Sequence, residues 1–103
     1  MKKTFPLQAR GKDDARVRDK IRHEVNKYVR RERRKTLPEG FSWWMFACRV
    51  GPNAEQAAAK SLDDVGAAID AVAQTGATTV YVEILASPSH RPPARSPRKA
   101  VDA

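Results

Sequence analysis

Residues 13–35 read DDARVRDKIRHEVNKYVRRERRK, and their periodicity decides how the rest of the chain must fold. Val17, Ile21, Val25, Tyr28 and Val29 recur at the spacing that lines up one face of an α-helix. Asp13 or Asp14 supplies an N-cap, and the acidic first turn suits the positive end of the helix dipole. Leu37-Pro38-Glu39-Gly40 ends the element, because Pro38 disfavours helical geometry in the residue before it. The expectation is a long amphipathic helix over residues 14–36. Stepping about 100° per residue collects Arg16, Lys20, His23, Lys27, Arg30, Arg31 and Arg34 opposite the apolar stripe. The stripe requires a second apolar layer to cover it.

The flanking segments supply that layer. Met1 to Gln8 reads as a short first strand with Phe5 and Leu7 on one face, and Pro6 puts it at a sheet edge or leaves it irregular. Phe41 to Val50 reads as a central strand. Its core face is Trp44, Phe46, Cys48 and Val50, and its other face is Phe41, Trp43, Met45, Ala47 and Arg49. Trp44 is therefore expected in the core and Trp43 outside it. Gly51-Pro52-Asn53 breaks the strand, and residues 54–60 carry no assignable pattern. Ser61-Leu62-Asp63-Asp64 resembles a capping box, and Leu62, Val65, Ile69 and Val72 mark a second helix stopped by Gly76. Thr79 to Leu85 alternates as a last strand. The order β-α-β-α-β implies an α+β two-layer sandwich, with two helices side by side on one face of a three-stranded sheet. Residues 1–86 form the expected domain. Residues 87–103, with Pro88, Pro92, Pro93 and Pro97 among Arg and Ser, form an expected disordered tail.

Composition narrows the function classes. The 103 residues carry a net charge of +8, and the charge is segregated. Residues 10–35 hold a net +7, residues 36–89 a net −4 and residues 90–103 a net +3. Basic character concentrated in one helix and one tail points to anionic partners. The single cysteine excludes an internal disulfide and fits a reducing, cytoplasmic setting. No apolar run approaches a membrane span, and the Lys2-Lys3 start carries no h-region of a signal peptide.

Several stretches together are similar to a known family. The pattern comprises MKKTFPL at residues 1–7, His23-Glu24-Val25, RERRK at 31–35, LPEG at 37–40, and YVEILA at 81–86 with His90-Arg91. It resembles a family of small bacterial single-domain proteins of unknown function. The resemblance implies a bacterial cytoplasmic single domain and names no activity.

Enzymatic motifs are absent, so the chain is not expected to be an enzyme and no cofactor is implied. The glycines form no phosphate-binding fingerprint and no serine sits in a nucleophile elbow. Cys48, His23 and His90 lack zinc-ligand spacing, so no metal site is expected, and Cys48 reads as a small core residue. The strongest signal is the basic face of the first helix. Arg16, Lys20, Lys27, Arg30, Arg31 and Arg34 form a ridge roughly 27 Å long at ~1.5 Å per residue, and guanidinium forks suit phosphate oxygens. Such a face also serves simply as a solvated, dipole-compensating surface.

The stretch Glu39 to Phe46 resembles the first ribonucleoprotein signature of RNA-recognition motifs, in which aromatics matching Phe41 and Trp43 stack on bases. Glu39 replaces its basic residue and Ser42 its small one, and the hairpin that precedes the strand in that family is missing. The same aromatics equally suit an interface. Two functions are therefore expected: binding of RNA before DNA through the helix ridge, or an interaction module that dimerises or docks an acidic protein through Phe41, Trp43 and Met45. Arg91, Arg95, Arg98 and Lys99 in the tail add diffuse attraction to phosphate.

Overall fold

The structure, a computed structural model, describes residues 1–8, 11 and 13–90. Among these, strand β1 (Lys2–Pro6) is followed by helix α1 (Asp14–Arg33), strands β2 (Trp43–Gly51) and β3 (Ala58–Lys60), a 3₁₀ turn (Leu62–Asp64), helix α2 (Val65–Gln74) and strand β4 (Thr79–Ser89). The strands form one antiparallel sheet in the order β1-β4-β2-β3. The expected two-layer α+β arrangement holds in outline, with four strands rather than three and the order β-α-β-β-α-β.

The added strand lies in the stretch that carried no pattern. Cys48, Arg49 and Val50 pair with Lys60, Ala59 and Ala58. Two features close this hairpin. Arg49 reaches over the loop and donates to the carbonyls of Ala54 (3.2 Å) and Ala57 (3.1 Å). Gly51 lets the returning chain pass, since a Cβ there would sit 2.6 Å from the Cα of Ala57.

Helix α1 starts as its sequence dictates. Asp13 is the N-cap and accepts from the Arg16 N–H at 2.9 Å. The helix ends three residues before the expected boundary, in a tightened last turn where Arg34 and Lys35 N–H groups reach the carbonyls of Arg31 and Glu32. The capping box expected at Ser61 does not form. The Ser61 hydroxyl bonds the Asp64 carboxylate instead, and the chain enters α2 through the 3₁₀ turn. At the other end Gly76, with φ of 88°, follows the Thr75 C-cap and stops the helix.

The core lies between the helices and one face of the sheet. Val17, Ile21, Val25 and Val29 of α1 and Val65, Ala68 and Ile69 of α2 pack with Phe5, Cys48, Val50, Val80, Val82 and Ile84. Strand β4 supplies the centre: Val80, Val82 and Ile84 are fully buried. Cys48 is buried as expected, and burial pushes its thiol pKa up. β1 is an edge strand, which accommodates Pro6.

Two expectations at the far end of the sheet are corrected. The last strand continues past Leu85 to Ser89, taking in the first residues assigned to the tail, because Trp43, Trp44 and Met45 offer ladder partners to Ser89, Pro88 and Ser87. Residues 91–103, the remainder of the expected tail, lie outside the described residues. Trp44 is half-buried, like Trp43, and is not part of the core. α1 has already ended where β2 begins, so no helix covers Trp44. Its Nε1 donates to the Lys35 carbonyl at 3.1 Å and ties the exit from α1 to the sheet.

Neighbouring residues on β4 should differ sharply under truncation. Ile84→Ala removes a fully buried side chain and should cost ~2–5 kcal/mol in urea unfolding. Leu85→Ala, at a position 43% exposed on the opposite face, should stay within ~0.5 kcal/mol. Equal costs at the two positions contradict the assignment of the sheet faces.

Candidate nucleic-acid interface

The apolar stripe of α1 presses on the sheet, so its other side meets solvent. Arg16, Lys20, His23, Lys27, Arg30, Arg31 and Arg34 are all exposed. The side chains of Arg16, Lys20, Lys27, Arg30 and Arg34 make no ion pair with any described residue. Arg31 lies over the ring of Tyr28, 5.7 Å from its centroid. The six bases expected to act together on α1 are thus together.

The acids nearest α1 that form ion pairs engage other cations. Asp70 of α2 accepts from Arg18 Nε (3.1 Å) and Arg22 Nη1 (2.7 Å), while Asp19 accepts from Arg22 Nη2 (2.6 Å). These bonds, to Asp70 first and Asp19 second, raise the Arg22 pKa. The ion pairs between α1 and α2 thus lie at the seam where the two helices meet. Lys3 pairs with Glu24, and Lys35 with Glu32, on the flanks. What remains on the outward face is positive charge without local neutralisation.

Beside the ridge lies a groove of about 560 Å³ between α1 and the start of α2. Val25, Val29, Val65 and Ile69 form an apolar floor. Asn26, Arg30, Arg33 and Asp63 stand along its rim. Arg33 stacks over Phe46 at 5.4 Å, and Arg30 belongs to both ridge and groove. No local spacing announces this groove, since Asn26 of α1 and Asp63 of the 3₁₀ turn come to line it only when the two segments pack.

Phe41 and Trp43, the expected stacking aromatics, are elsewhere. Trp43 opens β2 on the sheet face without helices, together with Met45 and Ala47. Its Nε1 is shielded and finds no partner among the described residues. Phe41 precedes the strand and stacks on the His90 ring, with centroids 4.5 Å apart, so one ring face is already filled. The structure does not bring either residue to the α1 ridge.

The same helix-free face carries a polar triad. The Tyr81 hydroxyl donates to Glu83 at 2.8 Å, and Arg49 Nη1 lies 3.4 Å from the same oxygen. The Tyr81 bond outweighs the opposing effect of burial. With the charges of Arg49 and Lys2 it holds the Glu83 carboxyl below its ordinary value, and the same bond raises the Tyr81 pKa.

Among the described residues no cluster of three metal-ligating side chains occurs, and no helix is long and apolar enough to cross a membrane. A family model described as "Family of unknown function (DUF6172)" matches residues 1–95. No curated protein and no solved structure matches the chain.

A pH prediction follows from Glu83. A carboxyl held below its ordinary value stabilises the fold above that value and loses the contribution as pH falls through the lowered one. Urea midpoints measured from neutral pH down through pH 4.5 and below should therefore fall more steeply for the parent than for Glu83→Gln. Identical pH profiles contradict the triad.

Proposed function

The chain belongs to the family of unknown function DUF6172, and on that footing we propose that it binds nucleic acid, RNA before DNA, through the outward face of α1. The observation that carries this reading is the row of exposed bases from Arg16 to Arg34 without ion-pair partners, on a helix whose register is locked by burial of the opposite side. Nearby acids could have quenched such a row, yet Asp70 and Asp19 engage only Arg18 and Arg22. The ridge spans roughly 27 Å at ~1.5 Å per residue, long enough to follow several successive phosphates. Arginine forks at Arg16, Arg30 and Arg34 suit bidentate contact with phosphate oxygens. The chain's place of action on this reading is the cytoplasm.

A second reading draws on the helix-free sheet face. Met45 is 44% exposed and Leu85 43%, and with Trp43 and Ala47 they form an apolar strip suited to a second copy of the chain or another protein. Both surfaces are suited to contact with a partner, and the reading advanced for them is a binding role rather than an enzymatic one.

The test is a fluorescence-polarisation titration against RNA and DNA oligomers at several salt concentrations. Engagement of ~4–5 phosphates gives a log–log slope near −3 for single strands and near −4 for duplex. The triple variant Lys27→Glu, Arg30→Glu, Arg34→Glu should abolish binding with an unchanged circular dichroism spectrum, since all three side chains are exposed. Absence of binding at low salt, or binding indifferent to the triple reversal, overturns the ridge. Loss of a copurifying protein from the triple variant, with no nucleic-acid binding by the parent, favours an interaction module.

A further inference from the structure

We propose that the groove between α1 and the start of α2 is a base-binding subsite, which takes one unstacked nucleobase from a single strand whose phosphates lie on the ridge. The proposal rests on the nucleic-acid reading above and deepens it, from a surface that attracts phosphate to one that selects single strands over duplex.

Three observations converge on this occupant. The first is continuity. Arg30 lines the groove and also stands on the ridge, is exposed, and has no ion-pair partner among the described residues. A phosphate held by Arg30 places the adjoining base at the mouth of the groove, with no gap between the two surfaces. The second is the match of floor and rim. Val25, Val29, Val65 and Ile69 offer a dry floor for an aromatic ring, while polar atoms are confined to the rim. The volume of about 560 Å³ falls in the range of sites that enclose small planar ligands. The third is the donor and acceptor set. The Asn26 amide both donates and accepts, and the Asp63 carboxylate accepts; both side chains are exposed and without a partner among the described residues. An amide and a carboxylate on one rim complement the edge of a base, which presents N–H donors next to a ring or carbonyl acceptor.

The charge balance of the groove also selects among anions. Three arginines, Arg22, Arg30 and Arg33, line it, but Arg22 is held by Asp70 and Asp19 and Arg33 lies over Phe46. Only Arg30 remains to meet a phosphate, and Asp63 opposes a second negative charge on the rim. A neutral base attached to one phosphate fits this arrangement. A duplex does not, because its bases stay stacked inside the helix and leave the groove empty.

The experiment compares two RNA oligomers of equal length, one intact and one with abasic spacers at every position, against the parent and Asn26→Met. Asn26 is exposed on α1, so methionine there removes the amide and lays an apolar chain into the groove without adding an aromatic ring for a base to stack on. The parent should bind the intact strand on the order of tenfold more tightly than the abasic strand, the weight of about 1.4 kcal/mol from laying one base on an apolar floor. Asn26→Met should lose most of that tenfold and bind both strands nearly as the parent binds the abasic one. The salt slope of the variant should match that of the parent, because the phosphate contacts on the ridge are retained. Equal binding of the two strands by the parent, or an Asn26→Met variant that prefers the intact strand as strongly as the parent does, overturns the subsite and leaves the ridge standing. Failure of the parent to bind either strand at low salt overturns the ridge and the subsite together.

Discussion

The apolar stripe of α1 is the constraint on which everything else depends. Val17, Ile21, Val25 and Val29 follow one another at intervals of four, and all four are buried. A helix with a single stripe this narrow has one rotational setting on the sheet, because any turn about its axis exposes a valine and buries an arginine. Once that setting is taken, the outward direction of Lys20, Lys27, Arg30 and Arg34 is decided too. The fold and the candidate interface are therefore two consequences of one pattern.

The acidic middle of the chain shapes what that pattern can do. Asp70 is placed by α2, which itself is anchored by Val65 and Ile69, and it takes up Arg18 and Arg22 at the seam. Partly exposed ion pairs of this kind add little stability, commonly below ~1 kcal/mol each. Their larger effect is to divide the bases of α1 into a neutralised flank and an unneutralised ridge. The groove sits on the boundary between the two, with Arg22 on its quiet side and Arg30 on its open one. On the other side of the sheet, positive charge is balanced locally, since Arg49 and Glu83 face each other across β2 and β4. Among the described residues, the row of bases from Arg16 to Arg34 without ion-pair partners lies on the helix layer.

Much of this was legible in the residues. The long helix, the buried phase of Phe46, Cys48 and Val50, the edge position of Pro6 and the stop at Gly76 all rest on local rules, which act over a few residues. The rest depended on partners distant in the chain. β3 is only Ala58–Lys60 and has no alternation to reveal it; it exists because Arg49 and Gly51 fold the hairpin back. β4 extends through Pro88 because the start of β2 lies beside it. Trp44 has the phase of a core residue but stands past the end of α1, so phase alone misplaces it. The exposed row of six bases was readable for the same reason as the helix. The groove was not, because Asn26 and Asp63 come to line one groove only in the folded chain. The resemblance to a small family of unknown function holds over residues 1–95, and it supplies a membership without a chemistry.

The central claim is that α1 presents the working surface and the helix-free side of the sheet does not. Backbone amide chemical shifts of the ¹⁵N-labelled protein, followed during titration with a single-stranded RNA oligomer, address it directly. The account predicts that the shifts concentrate in residues 16–34 and extend across the groove to Leu62–Gly66, with Trp43, Met45 and Leu85 unmoved. Shifts confined to Trp43, Met45 and Leu85, or none anywhere on α1, contradict it.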